Sequence, residues 1–249
     1  MKKDEIISLM KVAQSAAVKA GKFLHEHITR EKTVLLNQDR EIKLQLDTDA
    51  EELIKDLLVL DNNFPILGEE TGLNKDLDDF FWVVDPLDGT SNFLRGIPVS
   101  CVSISLMKNL DPILGVIYDF NHDDLFYGSK YTGAYLNSRE IKVSNISKKN
   151  ESTLMTGIPA KTNYSDEEFH SMIDDFQKWK KVRMIGSAAM SSTYVASGKA
   201  ETYKEDGIFL WDIAAGGAIV SSAGGHITIE NLNDDYRVDA KFTNNRVNL

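Results

Sequence analysis

Ile6, Leu9, Met10, Ala13, Ala17, Ala20 and Leu24 recur at intervals of three and four, with charged and polar residues between them. That is a single apolar stripe of helical period, and it predicts an N-terminal amphipathic helix. A second helix is expected from about Thr48 to Leu60. The pattern then shortens into strand-like runs: Ile66-Leu67, Phe80 to Val84, Val99 to Met107, Ile113 to Tyr118, Phe126-Tyr127 and Ala134-Tyr135. Turn signals such as Tyr131-Thr132-Gly133 and Leu136-Asn137-Ser138 separate the later ones. Consecutive strands without helices between them predict an antiparallel or mixed sheet.

The polar stretch Ser144 to Ser152 marks a change of register, and strands alternate with helices beyond it. Ser165 and Glu168 form a capping box ahead of Phe169, Met172, Ile173 and Phe176. Val182 to Ile185 reads as a strand, Ala188 to Ala196 as a helix, and Ile213 to Ala223 as a helix stopped by Gly224-Gly225. The fold class is α/β, with an α+β N-terminal half and an α/β C-terminal half. The expected division is into subdomains 1–147 and 148–249, layered into a sandwich with a cleft between them.

Composition narrows the classes of function. With 249 residues, 42% hydrophobic and 27% charged, the chain can bury a large core and has the balance of a soluble protein. No apolar run approaches the roughly 20 residues that a membrane span requires. The N-terminus is interrupted by Asp4, Glu5 and Lys11, unlike a signal peptide. Cys101 is the sole cysteine, so no internal disulfide forms, and a reducing cytoplasm is the expected location. The net charge of −10 argues against nucleic-acid binding. An anionic substrate must therefore be held by local chemistry rather than by the overall field.

That local chemistry centres on Trp82-Val83-Val84-Asp85-Pro86-Leu87-Asp88-Gly89-Thr90-Ser91-Asn92-Phe93. Pro86 removes a backbone donor and disfavours helix at Asp85, so Asp85 and Asp88 sit on a strand-to-turn connection. There both carboxylates and the Leu87 carbonyl can converge. All three are hard oxygen ligands that suit Mg²⁺ or Mn²⁺. Gly89-Thr90 can open a helical turn whose free N–H groups seat a phosphate. Asp-Gly is also a common hairpin signal, and the pair alone reads more simply as a turn.

The whole string resembles the W-x-x-D-P-x-D-G-T-x-N-F signature of the inositol monophosphatase family. Leu67-Gly68-Glu69-Glu70-Thr71 is similar to its G-E-E motif. The segment 211–225, beginning Trp211-Asp212, is similar to its C-terminal W-D-x-A-A-G motif. Asp47 to Ile54 matches an upstream D-x-x-x-E-x-x-I segment. The resemblance implies a layered αβαβα sandwich of the sugar-phosphatase type. It also implies a Mg²⁺-dependent, lithium-sensitive phosphomonoesterase, active as a homodimer on a small phosphorylated substrate. Glu69, Asp85, Asp88, Asp212 and the Leu87 carbonyl would hold two or three Mg²⁺ ions, with Mn²⁺ as a substitute. Glu69 and Thr90 would orient a metal-activated water for in-line attack, and Asp47 would accept a hydrogen bond from Thr90 as a relay. The Gly89 and Thr90 amides would hold the phosphate. The chain departs from the family where a V-T-x-x-D run precedes the relay aspartate: here it reads Lys43-Leu44-Gln45-Leu46-Asp47.

Substrate-contact positions on the same resemblance are Gly186-Ser187-Ala188, Glu205 and Asp212. A carboxylate at Glu205 suits the paired hydroxyl donors of a polyol such as inositol monophosphate; its plainer reading is a solvated charge at a strand end. Alternatives on the same fold are a fructose-1,6-bisphosphatase, a 3′(2′),5′-bisphosphate nucleotidase, or a regulatory binding protein with residual phosphatase activity. His25-Glu26-His27 looks like a metal pair, but residues two apart on a helix face different directions, which makes it surface or packing. Cys101 reads as a core thiol.

Overall fold

The computed structural model describes residues 1–38, 41–60, 63–159 and 164–247. Helix α1 (Lys3–His25) buries the predicted stripe from Ile6 to Leu24. A hairpin follows, β1 (Val34–Gln38) with β2 (Glu41–Leu44), and runs directly into helix α2 (Gln45–Val59). That helix starts earlier than its apolar pattern implies. The Asp47 carboxylate accepts the Leu44 N–H at 2.9 Å and so closes the first turn from within.

The central sheet contains β3 (Ile66–Gly68), β4 (Gly72–Leu73), β5 (Phe80–Asp88), β6 (Cys101–Lys108), β7 (Asp111–Asp119), β8 (Asp124–Ser129), β9 (Gly133–Leu136) and β10 (Arg139–Glu140). Their order is β10-β9-β8-β7-β6-β5-β3-β4. All neighbours are antiparallel except β3 and β5, which run parallel. Short helix α3 (Thr90–Arg95) interrupts the path from β5 to β6.

The chain then continues through β11 (Thr153–Met155), α4 (Asp166–Phe176), β12 (Lys181–Arg183), α5 (Ala188–Ala196), β13 (Thr202–Phe209), α6 (Leu210–Ser222), β14 (His226–Glu230) and β15 (Arg237–Thr243). These strands form a five-stranded mixed sheet in the order β12-β11-β13-β15-β14. Strands β13 to β15 did not stand out in the sequence. Polar residues break their alternation, and a bulge between Glu205 and Ile208 breaks the period within β13.

The layers are those of an αβαβα sandwich. Helices α1 and α2 cover one face of the eight-stranded sheet, while α6, with α5 beside it, packs on the other and against the five-stranded sheet. Phe176 of α4 packs with Leu154 and Val182 on the far side of that second sheet. The run Phe80 to Val84 is continuously apolar because both faces of β5 are buried. Trp82 and Val84 join the α1–α2 core, and Phe81 and Val83 join the α5–α6 core. The α5–α6 crossing is close: a Cβ at Gly216 would lie 2.3 Å from the Ser192 side chain. Among the described residues no helix is long and apolar enough to cross a membrane.

Candidate metal centre and active site

Parallel pairing of β3 with β5 sets Gly68 opposite Val84, and the Glu69 N–H continues the ladder to the Val84 carbonyl at 3.1 Å. Glu69 and Asp85 therefore leave neighbouring strands side by side. Asp212 arrives from the other half of the chain, in the first turn of α6 directly after β13. One carboxylate oxygen from each of the three residues lies within 4.8 Å of the others.

The Lys43 ammonium offsets part of the charge at Glu69, while the charged groups that act most strongly on Asp85 and Asp212 are acidic. Burial first holds all three carboxyls above their ordinary range, Glu69 at about 8 and Asp85 and Asp212 well above normal; repulsion adds to it, from Glu70 at Glu69 and from Glu69 at Asp85 and Asp212. Asp85 Oδ1 accepts the Leu87 N–H at 2.9 Å, bending the chain around Pro86. Its buried Oδ2 has no donor among the described residues. An all-oxygen donor set, acidic and desolvated, fits a hard divalent cation of the Mg²⁺ or Mn²⁺ kind.

Asp88 lies beside the cluster and acts on Asp85 and Asp212, but it is oriented differently. Its Oδ2 accepts from Ser187 Oγ at 2.5 Å and from the Ala189 N–H at 2.7 Å, at the N-terminus of α5. Burial raises its carboxyl to about 6 against these hydrogen bonds. Asn92 holds the two segments together, donating to the Val99 and Ile185 carbonyls at 2.8 Å each. This tie between the β5–α3 turn and residue 185 was not read from the sequence. Gly89 is required at the turn: its φ is +89°, and a Cβ there would meet the Val99 carbonyl at 2.7 Å.

Gly89 caps a helical turn rather than a hairpin. The expected Thr90–Asp47 hydrogen bond is not formed. Thr90 Oγ1 folds back on the Leu87 carbonyl at 3.0 Å, the local partner three residues earlier. Asp47 Oδ2 is engaged by Leu44, while its buried Oδ1 has no donor among the described residues. Burial raises the Asp47 carboxyl to about 7.

Asp88 and Asp212 open onto a cleft of about 330 Å³ that Ser91, Gly157, Gly186, Ser187, Ala188 and Glu205 also line. Glu205 is buried rather than a solvated strand-end charge. Its Oε2 accepts from the Tyr203 hydroxyl at 3.1 Å, and burial raises its carboxyl to about 7. Another groove, of about 360 Å³ between α1 and α2, shares no residue with the carboxylates. His27 contacts the Phe23 carbonyl and Arg30 instead of pairing with His25, and Cys101 is a buried core thiol.

Glu51 is a residue whose task the sequence did not disclose. Fully buried, it accepts the N–H groups of Glu70 at 2.8 Å and Thr71 at 3.2 Å, the Thr71 hydroxyl at 2.5 Å, and the Lys55 ammonium at 2.8 Å. It thereby fixes the turn from which Glu69 projects. Its four-residue spacing from Asp47 and from Lys55 was the available signal.

A largely buried carboxylate cluster beside a polar cleft can hold a divalent cation next to a bound anion. Residues 6–243 match the inositol monophosphatase family, and the chain belongs to it. It is 38% identical over 245 residues to the Nus factor SuhB of Xylella fastidiosa, covering 97% of this chain and 87% of that protein. It is 31% identical to the fructose-1,6-bisphosphatase/inositol-1-monophosphatase of Aquifex aeolicus, covering 88% of this chain and 85% of that one. The inositol monophosphatase structure from Anabaena superposes with a TM-score of 0.83 at 32% identity, covering 96% and 92% of the two chains. The protein is thus a phosphoric monoester hydrolase of a metal-dependent family.

Proposed function

We propose that this phosphatase hydrolyses the monophosphate of a polyol, inositol monophosphate or a similar sugar phosphate, with Mg²⁺ as its ion. The supporting observation is Glu205, a buried carboxylate on the same cleft as Asp88 and Asp212. Paired substrate hydroxyls would donate to it, and its charge disfavours a second phosphate at that position. Glu69, Asp85 and Asp212 would hold the ions, with the free oxygen of Asp88 and the second lone pair of the Leu87 carbonyl. Such ions polarise the phosphoryl group, lower the pKa of water and stabilise a leaving alkoxide.

The chain's own groups do the rest. The Gly89 and Thr90 amides hold phosphate oxygens at the start of α3. The Thr90 hydroxyl orients the attacking water, and the Glu69 carboxylate accepts its proton. Water oxygen bonds to phosphorus as the phosphorus–alkoxide bond breaks, with no phosphoenzyme.

Glu205→Gln tests the substrate reading. Leaving substrate hydroxyls unpaired in a dry pocket costs on the order of 1–3 kcal/mol. The variant should therefore lose roughly 5- to 150-fold in kcat/KM for an inositol phosphate. Hydrolysis of an aryl phosphate, which lacks those hydroxyls, should stay near the wild-type rate. Equal losses on both substrates would contradict a polyol-binding role. The Aquifex relative's name brings fructose 1,6-bisphosphate into the same screen. Absence of turnover on every ester would leave the cleft to a regulatory binding role.

A further inference from the structure

The metal centre has an acidic flank that Glu69, Asp85 and Asp212 do not exhaust. Asp47 is 2% exposed, with Oδ1 lacking a donor among the described residues. Glu70 acts repulsively on both Asp47 and Glu69, so the flank carries three carboxyls in mutual conflict. Into it reaches Lys43, whose Nζ lies 3.3 Å from Glu70 Oε2 and acts favourably on Asp47 and Glu69.

Its placement is built into the backbone. Lys43 is paired with Leu36 in the β1–β2 hairpin, and β2 enters α2 without a loop, which fixes it four residues before Asp47. A tethered ammonium has a standing advantage over a dissolved ion: it cannot dissociate, and it repels any divalent ion that approaches the same oxygens. It also holds Glu70, whose own N–H is held by Glu51, so both ends of that residue are fixed beside Glu69.

We propose that the Lys43 ammonium is the resident cation of the Asp47–Glu70 flank, confining divalent ions to the Glu69–Asp85–Asp212 side. This rests on the metal-dependent reading of the site. Lys43 is a positioning residue on this account, acting on the number of ions bound rather than on the substrate.

The test counts ions without substrate. Chelator-treated wild type, Lys43→Met and Lys43→Arg are titrated with Mn²⁺, and free ion is read by electron paramagnetic resonance. Wild type and Lys43→Arg should bind two ions per chain, as two-metal phosphoryl-transfer sites do. Lys43→Met should bind one more, about tenfold or more weakly than the others. An unchanged count in Lys43→Met would overturn the proposal. Three ions in the wild-type chain would overturn it without recourse to any variant. Because no turnover is measured, two ions bound by an inactive protein would contradict the phosphatase reading and leave the lysine assignment standing.

Discussion

Glu51 and Asp85 are buried to nearly the same degree, at 0% and 1% exposure, yet their surroundings are opposite. Glu51 receives two backbone N–H groups, a hydroxyl and an ammonium. Asp85 receives one N–H on one oxygen, and its charged neighbours Glu69, Asp88 and Asp212 are all acidic. Burying a charge is costly unless the surroundings supply donors or countercharge. For Glu51 the chain supplies them, and the residue is structural. For Asp85 it does not, so the carboxyl stays protonated unless a cation from outside the chain meets it. The structural acid also serves the functional ones, since the turn it holds carries Glu69.

Replacing each acid in turn should separate the two cases. Asp85→Asn removes a ligand and also relieves repulsion. Its kcat should fall on the order of 10²–10³-fold or more, the scale for loss of one electrostatic stabiliser, while the metal-free protein melts no lower than wild type. A matching fall in stability would place Asp85 with Glu51. Glu51→Ala leaves Lys55 and the amides of Glu70 and Thr71 without their acceptor. It should cost about 3–5 kcal/mol by chemical denaturation, the usual result of breaking a buried ion pair from one side. The loss should be similar with and without Mg²⁺. A variant of wild-type stability would contradict the structural role.

The expected ligands were legible where short strings of the sequence resemble those of the family. Asp85, Glu69 and Asp212 could be named from local strings, and the structure brings those three together. The partners of the second sphere were not legible, because they are set by tertiary placement. Ser187 reaches Asp88 across 99 positions of chain, and Asn92 reaches Ile185 across 93. Thr90 illustrates the converse: its hydroxyl takes the nearby Leu87 carbonyl over the more distant Asp47. Along the backbone, α1 was readable from its stripe. Strand β13 was hidden by Glu205, a buried polar residue beside a bulge, and the hydrophobic pattern fails where the cleft needs polar groups.

The central claim is that a cation supplies what the chain withholds from Glu69, Asp85 and Asp212. Calorimetric titration of Mg²⁺ into chelator-treated protein, in two buffers of different ionisation enthalpy, counts the protons released. Folded carboxyls raised above their unfolded value near 4 stay protonated in the metal-free protein. Their favourable contribution is present below about pH 4 and is lost as pH rises through the folded values, about 8 for Glu69. Bound Mg²⁺ displaces those protons. The account therefore predicts release of at least about one proton per chain at pH 7, and a rise in Tm on adding Mg²⁺ that is larger at pH 8 than at pH 6. Binding without proton release, or no binding at millimolar Mg²⁺, would contradict it.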